Sequence, residues 1–433
     1  MNTTTPPRIV VVGGGAGGLV LATRLRRKHP EMDITLVDSS STHIWKPLLH
    51  EIASGAINAD VDSLSYIAHA SRCGFEFQLG ELHGLDRAKK EVILAPIVDD
   101  TGHETVPERR IGYDVLVIAI GSVCNDFGTP GADRFCLFLD TPEQAERIRR
   151  RFLDIYLAAH AGGLAGIKPA RVDVVIVGAG ATGVELSAEL HGSVRKLIGY
   201  GLDEIPSQDV SISIIEAGPQ LLPALSAKLA ASVQKHLRRI GVQLYLNERV
   251  TAVTEAGVTT ESGKFIPGTL IVWAAGVKAP PITAKLDGLS VNRINQLEIR
   301  PTLQTTEDDS VFAIGDCSAL ADTSRRIPPT AQVANQEAMH LARNLSRYLE
   351  GNPMHPFKFN DKGTLVSLGE TSTFGVLMGN LLGTRTIRGL LARLAYLWLY
   401  RRHQYGLFGA TRTVIIFLGD NLRRTVGPKL KLH

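Results

Sequence analysis

Short runs of apolar residues recur along this chain of 433 residues, and most of them end at a glycine or an acid. Apolar runs of this length are typical of buried parallel strands, because helices cover both faces of such a sheet. A glycine-rich turn and a helical pattern follow two of them. The pattern therefore predicts an α/β fold of repeated strand–turn–helix units. The runs are Arg8–Val12, Ile34–Asp38, Tyr113–Gly121, Val172–Val177, Ile212–Glu216, Leu270–Gly276 and Val311–Asp316.

Two of these units contain the same glycine spacing, G-x-G-x-x-G, about 165 residues apart. The two fingerprints span Gly13–Gly18 and Gly178–Gly183. In this spacing the first glycine permits a tight turn, the second lets the backbone approach a pyrophosphate, and the third allows close helix–strand packing. The free N–H groups and the dipole of the following helix favour an anion there. A single match also occurs in ordinary α/β turns, whereas two complete units predict two dinucleotide sites.

An acid ends the apolar run after each fingerprint, Asp38 in the first unit and Glu216 in the second. A carboxylate at this position accepts hydrogen bonds from a ribose diol. At the second site it favours NADH over NADPH, because a 2′-phosphate would face a negative charge. Two such sites in one chain are typical of proteins that pass electrons from a nicotinamide to a flavin.

The four cysteines are too scattered for a metal site or a C-x-x-C motif, which argues against a disulfide framework or zinc and fits a reducing compartment. A disulfide reductase needs two sulfurs beside its flavin. Residues 39–72 and 170–285 contain no cysteine, which excludes that class. Cys317 is interpreted as a small buried residue.

The positive charge is concentrated in the last 49 residues, Arg385 to His433, which contain ten Lys or Arg and one acid. The whole chain has a net charge of +4, so the remainder is acidic at −5. The segment also contains the apolar run Val414–Leu418 and a predicted amphipathic helix over 387–401, whose stripe consists of Ile387, Leu390, Leu391, Leu394, Leu397 and Trp398.

An aliphatic stripe bordered by arginines is typical of a helix that lies on an anionic lipid surface. Packing of the stripe on the body or on a dimer mate is the alternative. A nucleic-acid partner is not expected, because the charge accompanies aliphatic rather than stacking aromatic residues. No uncharged apolar run reaches 18 residues, and no secretory signal is expected at the start of the chain.

With these features together, the chain resembles the bacterial type II NADH dehydrogenases, the single-subunit NADH:quinone oxidoreductases, and within them the proteobacterial branch. The resemblance extends over essentially the whole length. Its specific segments are Trp45–Glu51, Gly178–Leu190, Val272–Pro280, Phe312–Cys317, Ala331–Gln336 and the closing residues Pro428–His433.

The resemblance implies a two-Rossmann architecture with the NADH domain inserted in the FAD domain, followed by a membrane-associating region. The predicted boundaries are 1–165 and 286–354 for the two parts of the FAD domain, 166–285 for the NADH domain and 355–433 for the membrane region. A helix over 143–160 and a glycine-rich linker over 161–166 precede the inserted domain.

The resemblance also implies FAD-dependent oxidation of NADH with two-electron reduction of a membrane quinone, ubiquinone or menaquinone, without proton pumping. The enzyme would lie peripherally on the cytoplasmic face of the cell (inner) membrane and feed the respiratory chain; a homodimer is possible. Two alternatives stay open. One is a soluble NADH-dependent flavoreductase that serves a small redox protein, and the other is a flavin redox sensor without turnover.

The resemblance implies that three residues act in the reaction: Glu185, Gln332 and Gln336. A carboxylate can relay a proton, and an amide can hydrogen-bond a quinone carbonyl. The resemblance also implies that Asp316 binds the ribityl chain of FAD. The predicted cofactor-binding residues are Gly13, Gly15, Ala16, Gly17, Gly18, Asp38, Ser39, Lys46, Pro47, Leu48, Leu82, Gly121, Gly178, Gly180, Thr182, Gly183, Glu185, Glu216, Gly276, Asp316, Ala331 and Gln332. No metal ligands are predicted.

Overall fold

The chain divides into two compact units, each built from separate segments of the sequence. In this computed structural model the described residues are 6–165, 171–205, 209–322, 324, 327–369, 373–379, 383–388, 401, 404–426 and 430. The first unit consists of Met1–Lys46, Ser63–Val123 and Val277–Asn360. The second unit consists of Pro47–Asp62, Cys124–Gly276 and Asp361–His433.

A parallel five-stranded sheet forms the centre of the first unit. Its central strand is almost entirely apolar and buried, as expected for a strand covered on both faces. The order is Val311–Ala313, Val115–Ile118, Arg8–Val12, Asp33–Asp38 and Glu76–Leu79. The chain therefore returns to its first sheet after residue 310.

Helices and smaller sheets complete the first unit. The helices are Gly18–Lys28, Tyr66–Cys73 and Ala331–Leu349, with 3₁₀ turns at Pro281–Lys285 and Gly315–Cys317. A three-stranded antiparallel sheet is formed by Arg109–Gly112, Glu91–Leu94 and Leu82–Asp86. Two-stranded pairs are Thr42–His43 with Leu64–Ser65, Ile97–Val98 with Glu104–Val106, and Leu297–Ile299 with Ser318–Leu320. Short elements at the unit boundaries are Lys46–Leu48, Val123–Cys124 and Val277–Lys278.

The second unit is centred on a parallel five-stranded sheet with the same internal order. Its strands are Leu137–Phe138, Leu270–Trp273, Val172–Val177, Val210–Glu216 and Gln243–Leu246. In both sheets the strand before the fingerprint is central, the strand ending in the acid is next to it, and the strand before a second glycine turn lies on the other side. This is the doubly wound dinucleotide-binding arrangement. The two sheets differ in the outer strand beside the one that precedes the second glycine turn. In the first unit this outer strand, Val311–Ala313, comes last in the chain, and in the second unit the corresponding strand, Leu137–Phe138, comes first.

The remaining elements of the second unit surround this sheet. The helices are Leu49–Ala53, Ala59–Asp62, Ala132–Phe135, Pro142–Leu164, Ala181–Gly199, Ala227–Arg239 and Ala410–Val426. One antiparallel sheet contains Val250–Thr254, Gly257–Thr260 and Phe265–Pro267, and another contains Gly363–Ser367, Thr373–Gly379 and Gly383–Arg388.

The prediction of a glycine-rich linker over 161–166 is wrong for residues 161–164, because they belong to the helix Pro142–Leu164. Residue 166 lies outside the described residues. Thr141 caps the start of this helix by accepting a hydrogen bond from the N–H of Gln144 at 3.3 Å. A side chain at Gly163 would come within 2.8 Å of the carbonyl oxygen of Glu204. The glycine therefore allows close packing rather than flexibility.

The basic C-terminal segment differs in part from its prediction. Ile387 belongs to the strand Gly383–Arg388 and not to an amphipathic helix. Leu390, Leu391, Leu394, Leu397 and Trp398 lie outside the described residues. The second apolar run lies in the helix Ala410–Val426, where Val414, Ile415, Phe417 and Leu418 are exposed. Within the part of the chain that the structure describes, no helix is both long and apolar enough to cross a membrane.

Candidate functional site: two dinucleotide cradles

The first fingerprint has the geometry that each of its glycines predicted. Gly13 has φ of +102°, where an L side chain is strained. A β-carbon at Gly18 would collide with the carbonyl oxygen of Gly13, so the helix Gly18–Lys28 packs directly on the turn. A β-carbon at Gly15 would meet no atom within 4 Å. Open space therefore lies in front of the backbone at the helix start, where a pyrophosphate is expected to bind.

The second fingerprint repeats this arrangement in its own unit. Gly178 has φ of +106°, and a β-carbon at Gly183 would collide with the carbonyl oxygen of Gly178. Gly180 caps the helix Ala181–Gly199 and also faces open space. Both turns can therefore admit a phosphate group. Ala16, Gly17 and Thr182 lie at the corresponding helix starts, as predicted.

The two acids hold their fingerprint turns through equivalent hydrogen bonds. Asp38 accepts from the N–H of Gly14 at 2.6 Å and from the N–H of Ser40 at 2.8 Å. Glu216 accepts from the N–H of Ala179 at 2.8 Å and from the N–H of Gly218 at 2.8 Å. Each carboxylate is thus fixed at the end of its strand, where a ribose would lie. Ser39 follows Asp38 directly and is exposed.

Tyr66 is an additional residue of the first cradle that sequence reasoning missed. Its hydroxyl donates to the carbonyl oxygen of Gly14 at 2.8 Å and lies 3.4 Å from Nδ1 of His43. Burial raises the pKa of Tyr66 well above its usual value, and the Asp38 charge adds to this shift. Burial also raises the pKa of Asp38, which the N–H groups of Gly14 and Ser40 oppose.

A second polar cluster in the first unit surrounds Asp316. The Oγ of Ser122 donates to Oδ2 of Asp316 at 2.8 Å, and Nζ of Lys46 donates to the carbonyl oxygen of Ser122 at 2.6 Å. Gln296 fixes the Asp316 backbone by donating to its carbonyl oxygen at 2.9 Å. Burial raises the pKa of Asp316, while the Ser122 hydrogen bond and the Lys46 charge oppose the rise. Gly121, with φ of +72°, directly precedes Ser122.

Glu337 is the second residue that sequence reasoning missed. It is only 3% exposed, and its Oε2 accepts from the N–H of Gly315 at 2.6 Å, beside Asp316. Burial raises the pKa of Glu337 to about 8; the Gly315 hydrogen bond opposes this rise and the Asp316 charge adds to it. The sequence signal is its spacing, since Val333, Glu337 and Leu341 share one buried helix face.

Glu185 lies in the second unit, on the helix that begins at the second fingerprint, and it is buried rather than solvated. The N–H of Ser367 donates to its Oε1 at 2.9 Å, and Nδ1 of His50 lies 3.6 Å from its Oε2. Burial raises the pKa of Glu185 well above its usual value and lowers the pKa of His50 to about 4. At neutral pH both side chains are therefore driven toward their uncharged forms rather than an ion pair.

The other ring nitrogen of His50 has no hydrogen-bond partner in this pair. Among the described residues, Nε2 of His50 is buried without a hydrogen-bond partner. Buried polar atoms are normally satisfied, so an orphaned ring nitrogen requires an explanation. A ligand or a water at this nitrogen would provide one.

Gly276 lies three residues after the end of the strand Leu270–Trp273 in the second unit and has φ of +62°. A β-carbon here would lie 2.5 Å from the ring of Phe127, which is 66% exposed and has φ of +54°. The indole N–H of Trp273 donates to the carbonyl oxygen of Asn125 at 2.8 Å and fixes the loop that precedes Phe127. An exposed aromatic ring therefore lies directly over the glycine predicted to approach the nicotinamide.

Gln332 and Gln336 lie one turn apart on the helix Ala331–Leu349, 3.5 Å from each other, as predicted. Thr330 caps this helix by accepting from the N–H of Val333 at 3.3 Å. Gln336 also donates to the carbonyl oxygen of Asn360 at 2.9 Å and accepts from its N–H at 3.1 Å. Both ends of the Gln336 amide are thus engaged with backbone.

The other predicted residues lie in local elements of the two units. Lys46, Pro47 and Leu48 form a 3₁₀ turn in which Leu48 is buried, and Leu82 is a buried residue at the start of its strand. Cys317 is fully buried, and burial raises the pKa of its thiol to about 12, so it is the inert small residue that was predicted. All four cysteines are free thiols.

Known proteins of similar sequence place the chain in a family of oxidoreductases. The model of the pyridine nucleotide-disulphide oxidoreductase family matches residues 7–338, and the chain belongs to that family. A type II NADH:quinone oxidoreductase from Haemophilus influenzae is 45% identical over 96% of this chain and 98% of its own length, which makes this chain a member of that group within the family.

Two more distant proteins resemble the chain over most of its length. The type II NADH:quinone oxidoreductase NdhA of Mycobacterium tuberculosis is 28% identical over 89% of this chain and 80% of its own length. The structure of NDH2 from Plasmodium falciparum in complex with NADH superimposes with a TM-score of 0.82 at 19% identity, covering 99% of this chain and 100% of that one. At that identity the likeness shows the fold.

Proposed function

We propose that this protein binds FAD and NADH, oxidises NADH and passes two electrons to a membrane quinone, and thereby feeds the respiratory chain. The observation that supports it most is the pair of cradles, each with an open glycine turn and a carboxylate fixed by two backbone N–H groups. The acceptor follows from the Haemophilus influenzae relative, whose name is NADH:quinone oxidoreductase.

FAD is assigned to the first cradle and NADH to the second. The Asp316–Ser122–Lys46 cluster lies in the same unit as the first fingerprint, and a carboxylate with a hydroxyl can bind a polyol such as ribitol. The flavin, when bound, supplies the two-electron chemistry between nicotinamide and quinone. The protein supplies binding, orientation and protons. Glu216 selects NADH, because its carboxylate would repel a 2′-phosphate.

Glu185 is proposed as the proton donor for quinone reduction. A quinone takes up two protons with its two electrons, and a carboxyl whose pKa is raised by burial is suited to supply one. His50, with its orphaned Nε2, would pass protons to the same carboxyl. Ser367 N–H holds the carboxyl in one orientation.

Gln332 is proposed to hydrogen-bond a quinone carbonyl, with Ala331 beside it. Gln336, whose amide holds the backbone of Asn360, would position Gln332 rather than contact the quinone. Gln332→Leu is therefore expected to slow quinone turnover about tenfold and to leave flavin reduction by NADH unchanged, since one neutral hydrogen bond contributes roughly 1 kcal/mol or somewhat more. Equal slowing of both half-reactions would contradict this role.

Association with the cytoplasmic face of the inner membrane is proposed to involve the helix Ala410–Val426. Four large apolar side chains on it are exposed, and the segment around it is strongly basic. Such a surface favours an anionic bilayer. A homodimer contact through the same face is the alternative. Vesicle binding and sedimentation of a double variant distinguish the membrane from a second copy of the chain.

The double variant Ile415→Ser/Leu418→Ser tests the membrane role. Removing two side chains that are 62% and 56% exposed should weaken binding to vesicles containing phosphatidylglycerol at least about tenfold. Ile67→Ser/Val98→Ser removes equally exposed apolar residues from the first unit and should bind as the wild type does. Unchanged vesicle binding of the first variant, with loss of a dimer in sedimentation, would assign the helix to self-association.

The reaction itself is tested by anaerobic titration of the purified protein with NADH, followed by addition of a quinone. Bleaching of the flavin absorbance by NADH and its return with quinone are expected. If NADH does not bleach the flavin, the protein is a sensor and not a dehydrogenase. If only a ferredoxin restores the absorbance, the protein is a soluble flavoreductase.

A further inference from the structure

A cavity rich in positive charge lies in the first unit, between the helices Gly18–Lys28 and Ala331–Leu349. Its volume is about 230 Å³, and its lining, here called the basic pocket, consists of Arg24, Arg27, Lys28, Met339, Ala342 and Arg343. Four of these six residues are cations and none is an acid. The two apolar residues form one part of the wall.

Two arginines of the basic pocket have side-chain nitrogens without a partner within the described part of the chain. Nε of Arg24 is buried without a hydrogen-bond partner among the described residues. Arg343 is exposed, and its guanidinium makes neither an ion pair nor a hydrogen bond within the described part of the chain. Lys28 has only a weak contact, 3.4 Å from its Nζ to Oγ of Ser346. The pocket therefore presents donors that require an acceptor.

Helix electrostatics explain only part of this cluster. Arg27 and Lys28 lie in the last turn of their helix, where cations interact favourably with the helix dipole. Arg24 lies a turn earlier, and Arg343 lies on the other helix, well inside its ends. Bringing these guanidinium groups to one cavity raises their mutual repulsion, which an anion would relieve.

The basic pocket is separate from the first cradle. Arg24 follows Gly18 by six residues, so it lies about 9 Å further along the helix axis at 1.5 Å per residue. The cradle is at the N-terminal end of this helix and the pocket is toward its C-terminal end. A pyrophosphate bound at Gly15 would not occupy it.

We propose that the basic pocket binds a phosphate group, either free or as a monoester, with its charge held by Arg24 and Arg343. Guanidinium groups match the oxygens of a phosphate in bidentate geometry, and each such charged contact is stronger than a neutral hydrogen bond. The cavity is large enough for a phosphate with a short apolar group against Met339 and Ala342. A phosphatidate headgroup and a free phosphate share this chemistry.

Isothermal titration of the FAD-loaded full-length protein tests the proposal. Saturating NAD⁺ is present so that the second cradle is filled. The two probes are inorganic phosphate and dihexanoyl phosphatidate below its micelle concentration. The double variant Arg24→Gln/Arg343→Gln should bind the better probe at least about tenfold more weakly than the wild type does, because two charged contacts are removed.

The control is Lys285→Gln/Arg293→Gln, which removes two exposed cations of the same unit away from the pocket. It should bind within twofold of the wild type, and flavin content should be equal in all three proteins. Tighter binding of phosphatidate than of phosphate identifies a lipid headgroup site, and equal binding identifies a free-phosphate site. The proposal is overturned if neither probe binds, or if both double variants lose affinity equally.

Discussion

The two dinucleotide cradles share their backbone geometry but differ in the side chains around it. The N–H of Gly13 donates to the carbonyl oxygen of Val37 at 2.7 Å, and the N–H of Gly178 donates to that of Ile215 at 2.8 Å. A corresponding bond joins Ala119 to Val12 at 2.7 Å, and Ala274 to Val177 at 2.8 Å. The turn, the acid and the second glycine turn are therefore a repeated structural unit.

The helix after each fingerprint shows the difference most clearly. Val20 and Glu185 occupy equivalent positions, seven residues after the first glycine, and both are buried. The first cradle shows that an apolar residue satisfies the fold at this position. Because a buried carboxyl is unfavourable without compensation, its presence in the second unit indicates function rather than stability.

The glycines at the start of each fingerprint should give the largest effects. Gly13→Val should yield protein without flavin, whereas Gly178→Val should retain flavin and lose reduction by NADH at least about a hundredfold. In both variants a β-branched residue must keep a positive φ, which is strained. Its β-carbon also meets neighbouring backbone, and the combined cost is about 3 kcal/mol or more.

Flavin absorbance and anaerobic stopped-flow reduction measure these two losses separately. Gly192→Ala is the control for the second unit, since a β-carbon there meets no atom within 4 Å and the residue lies inside a helix. Loss of flavin from Gly178→Val, with flavin retained in Gly13→Val, would reverse the cofactor assignment.

Glu185→Gln should give the next largest effect. The amide keeps an acceptor for the N–H of Ser367 but cannot supply a proton, so steady-state quinone reduction should fall at least about tenfold. Flavin reduction by NADH in single-turnover experiments should stay within about twofold. Glu189→Gln, one turn further along the same helix, is the control. Equal loss in the two variants would mean that Glu185 has no specific role in proton transfer.

Glu216→Gln should raise the KM for NADH about five- to tenfold and reduce the discrimination against NADPH. The KM rises because an amide accepts more weakly than a carboxylate from the N–H groups of Ala179 and Gly218. The discrimination falls because a negative charge near the 2′ position is lost. Asp38→Asn alters the corresponding acid of the first cradle and should weaken flavin retention without changing NADPH discrimination. Comparing kcat/KM for the two nucleotides in both variants measures the difference.

The smallest expected effect is a change in the pH dependence of stability in Glu337→Gln. The native protein keeps a proton on Glu337 up to about pH 8, whereas the unfolded chain releases it near 4.5. The unfolded chain therefore binds fewer protons between these values, and wild-type stability falls as pH rises through this window. The variant removes that fall.

Melting temperatures of the variant and the wild type from pH 5 to pH 9 measure the contribution of Glu337. The variant should gain a few degrees on the wild type toward the alkaline end, while Glu350→Gln, at the exposed end of the same helix, should follow the wild type. Parallel curves for all three proteins would show that Glu337 does not hold a proton in this window.

The positions of the glycines, the acids and the apolar runs could be predicted because they depend on neighbouring residues. Gly13, Gly18 and Asp38 lie within 26 residues of one another, and their turn is set by backbone sterics and hydrogen bonds of short range. The linker prediction was wrong at Gly163 because this glycine allows close packing against Glu204, and composition does not reveal such a contact.

The two strand–turn–helix–acid units, the return of the chain to its first sheet and the basic character of its end could all be predicted from the order of the residues. Which polar side chains are buried together depends on the three-dimensional packing. Glu185 meets the backbone of Ser367, 182 residues away, and Ser122 meets Asp316, 194 residues away. Such contacts depend on how distant segments pack, and burial, not residue type, then sets the pKa values of these carboxyl groups.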